Sequence, residues 1–354
     1  MEEKEKKSDA VEDKIKLSDL EFPNNNEIGR GAFGKVLLAI VKSTGEKVAI
    51  KKVFQDRRYK NRELPIMLEL HHPNIVELKS YYKTKAENKG ENDFFLNCIM
   101  DYMPLTLSYL IIKNRKNKTK FDPILLKLFS FQMLKCIGYL HSLGIAHRDI
   151  KPQNILVDPK DYTLKLCDFG CAKHLSKKES NISYICSRFY RPPELVVGAI
   201  KYTTKVDVWS VGCVIAELVL DKPLFQGKSA TDQFFEIIKV LGTPTSDIIK
   251  IMGGKPINVD KLTKYEKKNW KDVFKDRIDD MLFIDLIDKI LLYEPEKRLG
   301  PYQAMCHPFF DEIKKKEVIL PDNKCLPEHL FQFKECEINF DKESINIIMK
   351  QIGK

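Results

Sequence analysis

The octapeptide His-Arg-Asp-Ile-Lys-Pro-Gln-Asn at residues 147–154, with an Asp-Phe-Gly tripeptide downstream, constrains this chain more than any other stretch. Phosphoryl transfer requires an acceptor for a hydroxyl proton, oxygen ligands for a metal ion and a cation near the phosphate. Asp149, Asn154, Asp168 and Lys151 supply these groups. An isolated His-Arg-Asp also occurs in ordinary turns, where the Asp caps the backbone. The whole pattern favours the catalytic interpretation.

Together these residues resemble the catalytic and metal-binding loops of protein kinases, and Lys151 has the serine/threonine-kinase position. The resemblance implies an α+β, bilobal protein kinase fold, with a small antiparallel-sheet N-lobe, a larger and mostly helical C-lobe, and ATP and Mg²⁺ between them. It also implies that Asp149 accepts the substrate proton, Lys151 steadies phosphate, and Asn154 and Asp168 hold the metal. A pseudokinase scaffold is the alternative from another class, but such a protein is expected to lack one of Lys51, Asp149, Asn154 or Asp168, and all four are present.

Length and composition fit this expectation. A chain of 354 residues with 43% hydrophobic and 31% charged residues is typical of a soluble protein with two cores. No segment reaches the roughly 18 uncharged apolar residues of a membrane helix, and the charged N-terminus lacks a secretion signal. Nine cysteines without a Cys-x-x-Cys pair indicate reduced thiols of a cytoplasmic or nuclear protein. The net charge of +10 fits a solvated lysine-rich surface, so we expect no nucleic-acid or membrane partner.

The chain divides into four predicted regions. Residues 1–20 mix both charge signs with few apolar side chains, which predicts a disordered tail. We expect the N-lobe over residues 21–101 and the C-lobe over 102–312. A C-terminal extension over 313–354, packed on or trailing from the C-lobe, contains a predicted short helix over 341–352.

A glycine-rich loop begins the folded sequence, and its missing Cβ atoms permit close approach of the backbone to phosphates. A dinucleotide site would follow this loop with a helix, whereas here two Val- and Ile-rich strands, 36–41 and 47–53, flank a turn. The strands favour a kinase nucleotide loop. Its predicted nucleotide-binding residues are Ile28, Gly29, Arg30, Gly31, Ala32, Phe33, Gly34 and Val36.

The kinase resemblance assigns the remaining nucleotide contacts. Lys51, in Val-Ala-Ile-Lys, is expected to bind the α and β phosphates and to pair with a helical glutamate, for which Glu63 is the candidate. Met100 is expected behind the nucleotide, with the backbone of Asp101 to Met103 at the adenine edge. Pro65 predicts that the helix of Glu63 begins close to that residue or is kinked there.

The segment between Asp168 and Pro192-Pro193-Glu194 narrows the resemblance to the glycogen-synthase-kinase-3 family within the CMGC group. The likeness covers roughly residues 22–320, although Pro192 stands where kinases usually have Ala. It is carried by these matches: Gln55-Asp56, 60–64, 183–188, Arg191, Tyr202-Thr203, 207–210 and 237–245. The resemblance also implies that Asp207 and Trp209 anchor the catalytic loop and that Glu194 pairs with Arg298.

The resemblance implies a substrate preference and a modification site. Arg62, Arg148 and Lys173 match three cations that hold a phosphate already present on the substrate, four residues C-terminal to the target Ser or Thr. Guanidinium groups suit this task because they bind phosphate oxygens in pairs. Tyr184 matches an activation-loop tyrosine that gains charge on phosphorylation and would pair with Arg188 or Arg191. An unprimed, proline-directed CMGC kinase and a phosphate on the chain's own loop remain the alternatives.

Two stretches depart from the family. The N-terminal tail lacks the arginine-rich serine motif through which animal members are inhibited, so that control is not expected here. Residues 253–278 differ from the family's partner-binding region. The kinase resemblance implies protein substrates. Because of this divergence, the resemblance does not decide whether scaffold or regulatory proteins bind the C-lobe.

Overall fold

The computed structural model describes Val11 and residues 14–31, 34–55, 62–86, 93–176 and 178–353. The chain divides into two compact units, Met1–Pro104 and Leu105–Lys354. The boundary lies slightly later than the expected end of the N-lobe at residue 101. The elements of the first unit are β1 Leu20–Glu21, β2 Glu27–Gly31, β3 Gly34–Val41, β4 Lys47–Gln55, α1 Glu63–Met67, β5 Leu78–Lys85 and β6 Phe94–Asp101.

The first unit is built on an antiparallel sheet of order β1-β3-β4-β6-β5, with β2 also paired to β3. Val and Ile dominate β3 and β4 because branched side chains pack well on a pleated, half-buried surface. Ala39, Val48, Ile50 and Ile99 are almost fully buried in one cluster on this sheet. This is the small sheet unit that the kinase resemblance predicts.

The fold begins before Glu21, so the predicted disordered tail is wrong for residues 14–20. Ile15 packs against the sheet cluster, and Leu20 is 4% exposed within it. The Ile15 N–H donates to Ser80 Oγ at 3.0 Å, and the Lys42 N–H donates to the Asp19 carbonyl at 2.9 Å. The packing of Ile15 and Leu20, together with these two hydrogen bonds, offsets the entropy cost of ordering residues 14–20. Residues 1–10, 12 and 13 lie outside the described residues.

The helix that carries Glu63 begins where its proline predicts. Helix α1 starts at Glu63, which places Pro65 in the first turn, where a missing backbone N–H removes no helical hydrogen bond. Ile66 and Met67 form its buried side. The prediction that Pro65 limits this helix on its N-terminal side is confirmed for the described residues; 56–61 lie outside them.

The second unit is mostly helical. A three-stranded antiparallel sheet, β7-β9-β10, and a two-stranded pair, β8-β11, accompany the helices. The strands are β7 Leu105–Thr106, β8 Ile145–Ala146, β9 Ile155–Val157, β10 Leu164–Leu166 and β11 Lys173–His174. The helices are α2 Leu107–Asn117, α3 Pro123–Ser142, α4 Pro193–Val196, α5 Lys205–Leu220, α6 Ala230–Leu241, α7 Ser246–Ile251, α8 Trp270–Phe274, α9 Met281–Ile290, α10 Pro301–Met305, α11 Glu335–Phe340 and α12 Lys342–Gln351.

Helix α3 is the central helix of this unit. Asp122 caps it by accepting hydrogen bonds from the N–H groups of Ile124 and Leu125, and Pro123 occupies the first turn. By length and composition α3 could cross a membrane, but 78% of its most apolar window is buried inside the protein. Burial of that kind is typical of a core helix in a globular domain.

The C-terminal extension packs on this core. The Tyr302 hydroxyl of α10 donates to Glu337 Oε1 of α11 at 2.8 Å, in a buried contact. The Lys135 ammonium of α3 donates to the His329 carbonyl at 2.5 Å. Helix α12 confirms the short helix predicted over 341–352.

A buried ion pair fixes the end of the segment that begins at Asp168. Arg298 Nη1 and Nη2 donate to the two carboxylate oxygens of Glu194 at 2.7 and 2.6 Å. Both side chains are at most 1% exposed, so the pair is fully desolvated. Arg298 Nε also donates to the Leu292 carbonyl at 2.8 Å, which satisfies the remaining edge of the guanidinium.

We predict that Arg298→Ala lowers the free energy of unfolding by about 3–5 kcal/mol, because it leaves the Glu194 carboxylate buried without a partner. Chemical denaturation measures this effect. Lys297→Ala is the control, since Lys297 is 67% exposed and pairs only with its neighbour Glu294 in the described chain; its change is expected within about 0.5 kcal/mol. Equal stability of Arg298→Ala and wild type would contradict the prediction.

A second buried pair holds the same segment to α5. The Tyr190 hydroxyl donates to Glu217 Oε2 at 2.7 Å. Burial raises the pKa of Glu217 from 4.5 to about 7, although the Tyr190 hydrogen bond and the charge of Arg115 oppose this. Glu217 therefore binds a proton more tightly in the folded protein than in the unfolded chain.

We predict that the buried Glu217 carboxyl lowers the free energy of unfolding as pH rises. Stability is highest below the unfolded pKa near 4.5 and falls as pH rises through about 7, because only the unfolded chain ionises freely in that window. Between pH 5 and 8, wild type should lose about 2–3 kcal/mol relative to Glu217→Gln, which keeps an acceptor for Tyr190. Parallel pH profiles of the two proteins in chemical denaturation would refute this.

Candidate active site

The predicted catalytic loop forms one hydrogen-bonded cluster around Asp149. Lys151 Nζ donates to Asp149 Oδ2 at 2.7 Å. Asn154 Nδ2 donates to the Asp149 carbonyl at 2.9 Å and to Oδ2 at 3.1 Å. The Asp149 side chain is 13% exposed, so it combines fixed partners with access from solvent. The three residues therefore lie together as the sequence predicts.

Ser187 is a fourth member of this cluster that sequence reasoning missed. Its hydroxyl donates to Asp149 Oδ1 at 2.7 Å, and its backbone N–H reaches the same oxygen at 3.1 Å. Lys151 Nζ donates to Ser187 Oγ at 3.2 Å. Ser187 lies in the 183–188 stretch that carries the family resemblance, but the contact joins residues far apart in sequence, so the motif alone did not reveal it.

Asp207 holds the backbone of the catalytic loop. Its two carboxylate oxygens accept the N–H groups of His147 at 2.8 Å and Arg148 at 2.9 Å, and His141 Nε2 lies 3.2 Å from Oδ2. Burial would raise the pKa of Asp207, but the hydrogen bonds and charges of its partners lower it overall. The ionised carboxylate thereby stabilises Arg148 at φ 65°, a left-handed backbone that non-glycine residues rarely adopt. The anchoring role expected of Asp207 is confirmed.

Trp209 has a different environment from the one expected. Its ring stacks on Phe225 with centroids 5.7 Å apart, and the Arg298 guanidinium lies 5.1 Å from the ring centroid. Trp209 therefore supports the Glu194–Arg298 pair.

The two predicted metal ligands are brought close by a hairpin. Strands β9 and β10 pair Ile155 with Leu166, and the N–H of Cys167 donates to the Asn154 carbonyl at 2.9 Å. Asp168, the next residue, has left-handed φ 64° and ψ 76°. Such a strained backbone at a charged residue is typical of functional sites. The Asn154 amide and the Asp168 carboxylate are hard oxygen donors of the kind that Mg²⁺ prefers.

In the first unit, Lys51 and Glu63 form the predicted ion pair. Lys51 Nζ lies 2.5 Å from Glu63 Oε1, with the two side chains 19% and 12% exposed. Lys51 lies on β4, opposite Val36 of β3. The pair therefore fixes the lysine ammonium beside the strand that follows the glycine-rich loop.

Strand pairing explains one of the predicted phosphate-loop glycines. A Cβ on Gly34 would lie 2.0 Å from the Lys52 carbonyl, so no larger residue fits there. Among the described residues, a Cβ on Gly29 would make only ordinary contact with Val36, and one on Gly31 would have no neighbour within 4 Å. Ile28 is 46% exposed, and Arg30 pairs with Glu27. The predicted contacts Ala32 and Phe33 lie outside the described residues.

The predicted adenine-edge residues lie at the end of β6. Met100 is 8% exposed and pairs with Ala49, so packing in the sheet also explains it. The Asp101 N–H donates to the Glu77 carbonyl at 3.3 Å, and its carboxylate pairs with Lys79 at 3.2 Å. Asp101 is the last residue of β6, and Met103 follows outside the strand.

Two of the three predicted phosphate-binding cations, Arg148 and Lys173, lie in the second unit. Arg148 contacts the stretch of chain that contains Lys173. Strand β11 pairs Lys173 with Ala146, two residues before Arg148. Arg148 Nε donates to the Cys171 carbonyl at 2.7 Å, and Nη1 donates to the Tyr202 hydroxyl at 3.1 Å. Arg62 belongs to the first unit, where it is exposed and precedes α1.

Tyr184 is 73% exposed, as access for a modifying enzyme requires. The Arg191 guanidinium lies 4.5 Å from the Tyr184 ring centroid and donates to the carbonyls of Ile185 and Cys186. Arg188 donates instead to the Lys228 carbonyl at 2.6 Å. Of the two arginines expected near Tyr184, the structure places Arg191 against its ring.

Comparison with known proteins agrees with this geometry. The protein kinase domain family matches residues 22–310. The chain belongs to the protein kinase family. A curated relative, glycogen synthase kinase 3 of Trypanosoma brucei brucei (strain 927/4 GUTat10.1), is 44% identical over 336 residues, which cover 94% of this chain and 95% of the relative.

This degree of identity places the chain among glycogen-synthase-kinase-3-like serine/threonine protein kinases, as the resemblance predicts. It acts on protein substrates, and the family uses ATP with a divalent metal. The cluster around Asp149 lies within the matched domain.

We predict that Ser187→Ala lowers kcat about tenfold or more, because it removes one hydrogen bond to the charged Asp149. Ser187→Thr keeps the hydroxyl and should retain most activity. Ser183→Ala, earlier in the same segment, is the control. Steady-state kinetics on one peptide substrate, with matched thermal melting, checks the prediction; wild-type kcat in Ser187→Ala would contradict it.

Proposed function

We propose that this kinase prefers protein substrates already phosphorylated four residues C-terminal to the target Ser or Thr. The observation that supports this most directly is the placement of Arg148 and Lys173. Arg148 contacts Cys171 and Tyr202, Lys173 lies two residues beyond Cys171, and both side chains are cationic. Two cations at one stretch of the substrate-facing segment form the kind of site that a phosphate group binds. Arg62 completes the set by resemblance.

The same proposal assigns ATP to the predicted residues. The backbone around Gly29 and Gly31 and the ammonium of Lys51 bind phosphates, and Lys51 is oriented by Glu63. Asp149 accepts the proton of the attacking hydroxyl, while Lys151 neutralises the phosphoryl group as it moves. Catalysis then consists of positioning and electrostatic stabilisation.

We further propose Mg²⁺ as the divalent metal, with Asn154 and Asp168 as its protein ligands. In the described part of the chain, no three His, Cys, Asp or Glu side chains cluster as an all-protein metal cage requires. Mg²⁺ suits a site of this kind, because it is commonly held by one or two protein oxygens together with substrate phosphates and water. When bound, it would neutralise the charge of the transferred group.

Tyr184 is proposed as an activating phosphorylation site. A phosphate on its hydroxyl adds between one and two negative charges beside a segment that contains Arg188 and Arg191. Arg191 is 5% exposed and already contacts the Tyr184 ring, so a new charge there would act on a fixed partner. The phosphate would thereby add a charged contact to the segment that carries Ser187.

One observation favours the alternative, a kinase that needs no primed substrate. Lys173 is not free to bind, since it contacts Glu179 and Asn181 of its own chain. A phosphate must displace these partners, whereas an unprimed substrate need not. The two functions differ in whether a substrate phosphate lowers KM.

A pair of peptides decides between them. We predict that a Ser-x-x-x-phosphoSer peptide is phosphorylated with kcat/KM at least about tenfold above its unphosphorylated twin, since charge-assisted hydrogen bonds contribute about 1.5 kcal/mol or more. Arg62→Ala should remove most of this preference and leave the rate on the unphosphorylated peptide unchanged. Arg115→Ala, an exposed arginine of α2, is the matched control. Equal rates of wild type on both peptides would remove the proposal.

A further inference from the structure

Lys173 is held by two groups of the segment that follows it. Its Nζ donates to Asn181 Oδ1 at 2.7 Å and lies 3.1 Å from Glu179 Oε2. The lysine side chain is 19% exposed and that of Glu179 is 62% exposed. The lysine is thus largely enclosed, while its anionic partner remains accessible to solvent.

Among the described residues, the neighbouring cation, Arg148, has no anionic partner of this kind. Arg148 donates through its guanidinium to the Cys171 carbonyl and the Tyr202 hydroxyl, and that hydroxyl donates in turn to the Ile182 carbonyl at 3.0 Å. Among the side-chain contacts of Arg148 and Lys173 in the described chain, Glu179 is the one anion. The Glu179 carboxylate is therefore the negative charge that now neutralises Lys173, as a bound substrate phosphate would.

We propose that Glu179 is an internal competitor for the substrate phosphate, so that Lys173 distinguishes a phosphate from a carboxylate. This inference rests on the primed-substrate function proposed above. A phosphate carries between one and two negative charges and three acceptor oxygens. It can therefore displace a singly charged carboxylate from Lys173.

A carboxylate on the substrate is at a disadvantage. Glu179 has the same charge and belongs to the same chain, so its effective concentration at Lys173 is high. A peptide with Glu in place of phosphoserine must displace an equal group that is already tethered there. Glu179 thus selects against substrates that merely carry an acidic residue four positions from the target.

The solvent exposure of Glu179 sets how strongly it competes for Lys173. A partly exposed ion pair contributes little, because water screens it. Removing the Glu179 charge should therefore improve binding of an anionic peptide about two- to fivefold. The change should appear in KM and not in kcat, since none of the described contacts of Glu179 involves the cluster around Asp149.

The test compares Glu179→Gln with wild type on three peptides that share the target Ser and carry phosphoserine, Glu or Ser four residues later. We expect Glu179→Gln to lower KM about two- to fivefold for the phosphoserine and Glu peptides and to leave the Ser peptide unchanged. Inorganic phosphate should inhibit phosphorylation of the phosphoserine peptide at a correspondingly lower concentration. Glu312→Gln is the matched control, because Glu312 is 50% exposed and pairs with Lys127 at 2.5 Å.

The results separate this inference from the function on which it rests. If wild type prefers the phosphoserine peptide but Glu179→Gln leaves its KM unchanged or raises it, the competitor role is refuted and primed recognition stands. If wild type treats the phosphoserine and Ser peptides alike, primed recognition fails and the inference falls with it. Equal improvement in Glu312→Gln would identify a general charge effect and also overturn the inference.

Discussion

The structure of the catalytic centre depends on one buried carboxylate. Asp207 is 1% exposed and accepts the N–H groups of His147 and Arg148, which fixes two consecutive peptide units of the loop. A buried charge is stable only when such partners replace water. The arrangement lets Arg148 keep its left-handed backbone and directs its side chain to Cys171, while Asp149 turns to Lys151, Asn154 and Ser187. Arg148 and Asp149 therefore depend on one anchor.

Contacts between residues that are close in sequence could be predicted from the sequence. Asp149, Lys151 and Asn154 are close in sequence, so their cluster followed from the motif. The Lys51–Glu63 pair was predicted through the kinase resemblance. Site roles beyond these contacts stay predictions.

Contacts between distant residues were not predictable in this way. Ile15 and Leu20 look isolated in a charged tail, and their order depends on Ser80 and a sheet formed far along the chain. Ser187 reaches Asp149 across the whole segment between them. The Glu179–Lys173 contact is nearer in sequence, but both charges read as ordinary surface residues until the structure shows what each touches.

The segment from Asp168 to Glu194 combines fixed and exchangeable contacts. Its end is fixed by desolvated groups, since Glu194 binds Arg298 and Tyr190 binds Glu217. Its middle is held by partly exposed charges, such as Glu179 on Lys173, and those contacts contribute little free energy. Contacts in the middle of the segment therefore exchange at lower cost than those at its end. On the proposed function, this difference in solvation would let Arg148 and Lys173 exchange one anion for another while Ser187 stays on Asp149.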